Sequence, residues 1–292
     1  MDEDLEQRIQ LMKREIDALQ IAMTSASKPW YYNVSVWISV IALLFSFGTT
    51  YVSYRHTAIE DIANKRQELR GLLQRMAALP KENVEVLKKY SDDPVSGQTV
   101  SSYINQENTL LAKNAAELAK KLPATYVSST EYYAIAVALA NAYDLAGTDE
   151  FLDYSIKAAT DFNTEIGSLR MKASMQFIEG HPEDGRVEFQ KALNIFAKYP
   201  QYNEFTKAMT NGLTELQWAV AEGNIDSVSL ANQHIENAEK IVASLPTSPG
   251  ANTLRGQISQ MKSQISSGKP IANPVGGPQL SLPPKAEQTV PK

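Results

Sequence analysis

The stretch from Leu139 to Ala192, LANAYDLAGTDEFLDYSIKAATDFNTEIGSLRMKASMQFIEGHPEDGRVEFQKA, decides the fold. It contains no run with strand-like alternation. Its apolar residues recur at helical spacing, and Gly147 and Gly180 fall where one helical segment gives way to the next. The two glycines lie 33 residues apart, and Gly223 marks a third such point. Each follows a helical segment rich in small residues and precedes a second one. A period near 34 residues is the mark of stacked helical hairpins. The sequence therefore predicts an all-α protein with an internal repeat.

Outward from this stretch the pattern is helical on both sides. Residues 98–121 predict a helix with Ile104, Leu111, Leu118 and Leu122 inward, entered from a turn-rich loop (Ser91, Asp92, Asp93, Pro94, Gly97). Residues 250–267 place Leu254, Ile258, Met261 and Ile265 on one face, with Arg255, Gln257, Ser259, Gln260, Lys262 and Gln264 opposite. One apolar stripe with a polar back suits a terminal capping helix, which must close an array and still face water. From 269 to 292 proline and glycine dominate, and this composition predicts a disordered Pro-rich tail.

The quoted residues carry a resemblance. Leu139, Ala140, Tyr143, Gly147 and Ala159 in a first unit resemble the tetratricopeptide-repeat pattern, as do Ala173, Gly180, Gly185, Phe189 and Ala192 in a second. In a third unit Gly223 and Ala238 match with extra residues between them, and Leu216 stands where a small residue belongs. Leu152 likewise departs from the pattern, which has alanine there. The resemblance covers about 129–246 and implies a TPR-like α-solenoid within a repeat domain at 98–268. It also implies that the first helix of each unit lines a concave groove for a protein or peptide partner. Carried over position by position, that groove holds Val137, Asn141 and Asp144, then Arg170, Ser174 and Phe177, then Gln217. Asn and Gln can pair with a docked backbone, Arg can fork onto a carboxylate, and Phe177 would be an apolar anchor.

The amino-terminal third reads differently. Leu5, Ile9, Met12, Ile16, Leu19 and Met23 form a heptad seam in residues 1–28, either a short coiled coil or an amphipathic helix. Between Lys28 and Arg55 there is no charged side chain. Segment 29–54 carries Trp30, Tyr31 and Tyr32 at one edge and Tyr51 and Tyr54 at the other, so the sequence predicts a single-pass transmembrane helix. Residues 55–80 predict a juxtamembrane stalk helix ending at Pro80, with Ile59, Ile62, Leu69, Leu73 and Met76 on its seam. Basic residues near the span (Lys13, Arg14 and Lys28 before it; Arg55, Lys65, Arg66 and Arg70 after it) give little orientation bias. The expected location is integral to a bacterial inner membrane, with the carboxy-terminal domain outside the cytoplasm. Pairing of two copies through 5–23 and 55–79 is also expected.

Chemistry is sparse. The net charge of −5 and the absence of a basic stripe argue against nucleic-acid binding. With no cysteine, thiolate metal sites and cysteine nucleophiles are excluded. His56, His181 and His234 show no metal-ligand spacing and read as surface or turn histidines. Acidic Glu183 and Asp184 beside His181 suit the start of a helix. No phosphate-binding loop, dinucleotide fingerprint or nucleophile turn is present. The sequence thus reads as a non-catalytic, membrane-anchored scaffold or adaptor without cofactor or metal. The alternative is an accessory subunit of a larger membrane complex, held by its amino-terminal helix and anchor, with structural repeats.

Overall fold

The structure, a computed structural model, describes residues 6, 10–18, 20, 21 and 34–266. All regular structure among the described residues is helical, as the composition predicts. Helix α1 covers residues 10–18. It is followed by α2 (Val34–Lys89), α3 (Pro94–Lys121), α4 (Ser129–Asn141), α5 (Leu145–Ala158) and α6 (Phe162–Ile178). Then come α7 (Pro182–Leu193), α8 (Glu204–Asn224), α9 (Val228–Ala243) and α10 (Pro249–Ser266). The chain divides into two compact units, Met1–Asn64 and Lys65–Lys292.

In the first unit, Met12 and Ile16 of the predicted heptad seam are exposed on α1. Leu5, Ile9, Leu19 and Met23 lie outside the described residues, as do Pro29, the aromatic edge Trp30, Tyr31 and Tyr32, and the tail from Lys269. Among the described residues no helix is long and apolar enough to cross a membrane. This overturns the integral-membrane location and the inner-membrane orientation drawn from the sequence. The apolar run is diluted by Ser46, Gly48 and Thr49, and α2 passes from it into the charged sequence that begins at Arg55.

In the second unit, α2 does not stop at Pro80 but runs on to Lys89. An interior proline removes a helical hydrogen bond and crowds the carbonyl one turn back. Polar links across the site hold the helix together. Arg75 pairs with Glu82 on the far side of Pro80 and, at 2.7 Å, with Glu107 of α3, while Ser101 of α3 donates to Asn83 at 2.5 Å. These links set α2 and α3 antiparallel. In that register Leu69, Met76 and Leu79 are buried, as are Ala112, Ala115, Leu118 and Ala119 of α3. Leu69 and Met76 of the predicted stalk seam are thus covered by the chain itself, while Leu73 is half-buried and Ile59 exposed. Helix α3 starts four residues earlier than predicted, because Pro94 serves as a first helical residue and Asp93 caps the Ser96 N–H.

Three helical hairpins follow: α4 with α5, α6 with α7, and α8 with α9. Their starts are capped by side chains, Ser128 with Glu131 in a reciprocal box, then Asp161 and Asn203, and Asp144 caps α5 within the first hairpin. Each turn between the paired helices contains one residue with positive φ: Tyr143 (58°), Gly180 (83°) and Asp226 (63°). Counting from these residues brings the hairpins into one frame. Seven positions earlier stand Ala136, Ala173 and Ala219, all fully buried. Five positions later stand Thr148, Gly185 and Ala231, and twelve later Ser155, Ala192 and Ala238, all buried. Nine positions later stand the larger Leu152, Phe189 and Ile235, with no more than 1% exposure. Small residues let the two helices cross closely, and the bulky one fills the space behind the crossing.

The glycines that suggested the repeat are not equivalent in this frame. Gly147 lies in the first turn of α5 and Gly223 in the last turn of α8, and only Gly180 occupies the turn itself. In the first and third units the glycine register is offset from this frame by about one helical turn. That offset explains the two apparent misfits, since Leu152 and Leu216 never occupied small-residue positions. Helix α4 packs on α6 and α6 on α8, while α3 packs on α4 and α10 on α8 and α9. The predicted stripe of α10 (Leu254, Ile258, Met261, Ile265) is buried against Leu216, Ile235 and Val242. Each such side chain contributes ~1.5–3 kcal/mol of burial.

Candidate functional site

The faces of α4, α6 and α8 that lie side by side carry a polar cluster centred on Arg170. Its Nε and Nη2 donate to Thr214 Oγ1 at 2.9 and 2.7 Å, and Nη2 also donates to the Thr210 carbonyl at 2.5 Å. The Thr214 hydroxyl, itself fully buried, donates to the same Thr210 carbonyl at 2.9 Å. Among the described residues no carboxylate lies within ion-pairing distance of Arg170. Burial, opposed by the neighbouring Tyr133, pushes the Arg170 guanidinium down to about 10. Tyr133 occupies in the first hairpin the position that Arg170 holds in the second. Burial raises its phenol above the usual range, and the charge of Arg170 works against that rise. Gly167, one turn before Arg170, leaves room for the Tyr133 ring: a Cβ there would sit 3.5 Å from the tyrosine hydroxyl. On α8, Gln217 lies three residues beyond Thr214, with its Oε1 buried and unpaired.

The other residues named from the sequence divide clearly. Val137 and Ser174 hold equivalent, half-buried positions six residues before their turns. The Ser174 hydroxyl is turned back onto the Arg170 carbonyl at 3.1 Å. Asn141 is exposed at the end of α4. Asp144 caps α5, accepting from the Gly147 N–H at 3.0 Å, so its carboxylate serves the turn. Phe177 is only 3% exposed and packs against Phe189 inside the second hairpin, so it cannot be a groove anchor. The sequence missed Tyr133, Thr210 and Thr214. The first follows from counting back from Tyr143 instead of Gly147.

A second polar group is centred on a buried carboxylate. Glu222, fully buried, accepts from Arg186 Nε at 2.7 Å, from Arg186 Nη2 at 2.8 Å and from Trp218 Nε1 at 3.0 Å. His234, expected at the surface, is buried, with Nδ1 2.6 Å from Glu215 Oε2. Its ring fits there because it stacks on Trp218 at 4.0 Å. The other histidines are exposed: His56 lies 3.7 Å from Glu60, and His181 precedes α7 without a side-chain capping bond. Among the described residues no group of three His, Asp or Glu side chains is arranged to hold a metal ion.

No protein-family model, no curated protein and no solved structure matches this chain.

Proposed function

We propose that the helical unit is a non-catalytic, TPR-like scaffold that holds a protein or peptide partner on the face made by α4, α6 and α8. The observation that carries this reading is the common frame of the three hairpins. Helices in one frame present equivalent positions side by side, and such a row makes an extended surface suited to a chain-like ligand. The positions on that row are Tyr133 and Arg170, then Val137 and Ser174; the same register on α8 holds the buried Leu216 and Val220, and α8 meets the row through Thr210 and Thr214. They offer donors, acceptors and one apolar contact, the mixture that backbone and side-chain recognition requires. The opposite helices supply cores and salt bridges, such as Lys172 of α6 with Asp149 and Asp153 of α5, and leave less unsatisfied polarity.

Site-specific photo-crosslinking tests this reading. A photoreactive residue at Val137 or Ser174 in the full chain is expected to trap a discrete partner in cells of the source organism. The same residue at Tyr154 or Lys191, on the second helices, is expected not to trap it. Equal trapping from both faces, or trapping only from residues 6–21, would overturn the proposal and favour attachment through the amino-terminal helix.

A further inference from the structure

We infer that the partner supplies an aspartate or glutamate side chain to Arg170, the counter-charge that the folded chain withholds. The inference rests on the proposed scaffold reading and names the chemistry of its ligand.

Elsewhere in the unit, the half-buried guanidinium groups of α2 and α7 meet carboxylates, and Arg70 is exposed. Arg66 pairs with Glu131 at 2.6 Å, Arg75 with Glu82 and Glu107, and Arg186 with Glu222 and Glu183. Arg255, also half-buried, caps the Val242 and Leu245 carbonyls at the end of α9, where the helix dipole favours a cation. Arg170 has neither arrangement. It lies mid-helix on α6, touches only neutral oxygens, and is partly withdrawn from water, half-buried on its helix. A cation removed from water without a counter-ion is costly, and the cost falls when an anion arrives.

The geometry also limits the kind of anion. Nε and Nη2 are both committed to Thr214 and Thr210, so the bidentate edge of the fork is occupied by the protein's own atoms. Nη1 has no acceptor among the described residues, yet it is not among the buried unpaired atoms, so it keeps access to solvent. One free nitrogen suits a single carboxylate oxygen presented by a side chain. The two-point grip of a planar fork is blocked for any carboxylate, whether on a side chain or at a chain terminus. The Tyr133 hydroxyl, near the guanidinium, is a second donor for the same carboxylate.

The test uses random linear dodecamers displayed internally, without a free carboxy terminus, selected against the full-length protein. Enriched peptides are then synthesised with blocked ends. The expected result is a shared Asp or Glu whose replacement by Asn or Gln weakens binding by about 10- to 100-fold. That acid-to-amide ratio should collapse toward one in Arg170→Gln, with Thr214→Val as a second variant that frees the fork without removing the charge. In Thr214→Val the acid form should still be preferred, which guards against loss of folding in Arg170→Gln. Peptides that compete with one another, are lost in Ser174→Arg, and show no acid preference would overturn this inference while leaving the scaffold reading intact. Absence of enrichment, or binding indifferent to Ser174→Arg, would overturn both.

Discussion

Trp218 stacks on His234 with ring centroids 4.0 Å apart and planes 22° from parallel, while its indole N–H donates to Glu222. On the other side Phe189 lies 5.4 Å from the same indole at 12°. One tryptophan thus joins α7, α8 and α9, and its polar edge is tied to a carboxylate that also holds Arg186. The core of the last hairpins rests on ring stacking and one buried ion pair together.

Replacing Glu222 with Gln removes the charge that Arg186 needs. Breaking one partner of a buried pair costs about 3–5 kcal/mol, and the retained hydrogen bond from Trp218 places this change near the lower value. Urea unfolding followed by circular dichroism should show the loss. Burial opposes ionisation of Glu222, but the Arg186 and Trp218 hydrogen bonds outweigh it and hold the carboxyl below its ordinary value. A depressed folded value means the stabilisation is complete above the unfolded glutamate range and is lost as pH falls through the folded value. Glu222→Gln should therefore flatten the acid limb of the stability curve.

Gly185 tests the close crossing in the second hairpin. A Cβ there would strike the Phe177 ring and approach the Ala173 carbonyl oxygen to 2.9 Å, and the carbonyl belongs to a helix that cannot easily yield. Alanine usually favours a helix over glycine by about 1 kcal/mol. Overpacking of this kind costs ~1–3 kcal/mol. Gly185→Ala should lower the melting temperature, whereas Gly256→Ala, whose Cβ meets nothing within 4 Å, should raise it slightly.

Tyr199 should ionise late. Its hydroxyl donates to Glu165 at 2.6 Å, and burial followed by that carboxylate raises the phenol well above the tyrosine range. Because the folded value is raised, the stabilisation is complete below the ordinary tyrosine value and disappears as pH climbs through the folded one. A spectrophotometric titration should show one phenolate appearing after the others, and Tyr199→Phe should remove that step. A titration unchanged by the substitution would contradict the assignment.

Pro80 offers a gain. Alanine at this position restores the N–H that can reach the Met76 carbonyl and removes ring crowding, which together cost up to about 3 kcal/mol in an ordinary helix. Because the Arg75 links already splint the site, Pro80→Ala should stabilise the unit by ~1–2 kcal/mol. In an Arg75→Met background the same substitution should stabilise more, a difference that a double-mutant cycle of urea midpoints would detect.

The helical class and the stripe of α10 were legible because apolar periodicity reports directly on burial. The repeat was legible as a period but not in phase. Glycine is a natural marker of a left-handed turn, yet here Tyr143 and Asp226 take that conformation and the nearby glycines do other work. No local signal distinguishes the two cases. The same slip moved the groove by a turn in the first hairpin and hid Tyr133. His234 was misplaced because helical spacing cannot show that Trp218 and Glu215 would meet it from the preceding helix. The apolar run before Arg55 carried a membrane expectation that the described helices do not support.

The face around Arg170 is assembled from alternating pieces of chain, α4, α6 and α8, while α5 and α7 between them turn away to other packing. It is a discontinuous epitope. No peptide cut from the sequence reproduces it, and a blocking antibody selected on the folded protein would lose its target on a denaturing blot.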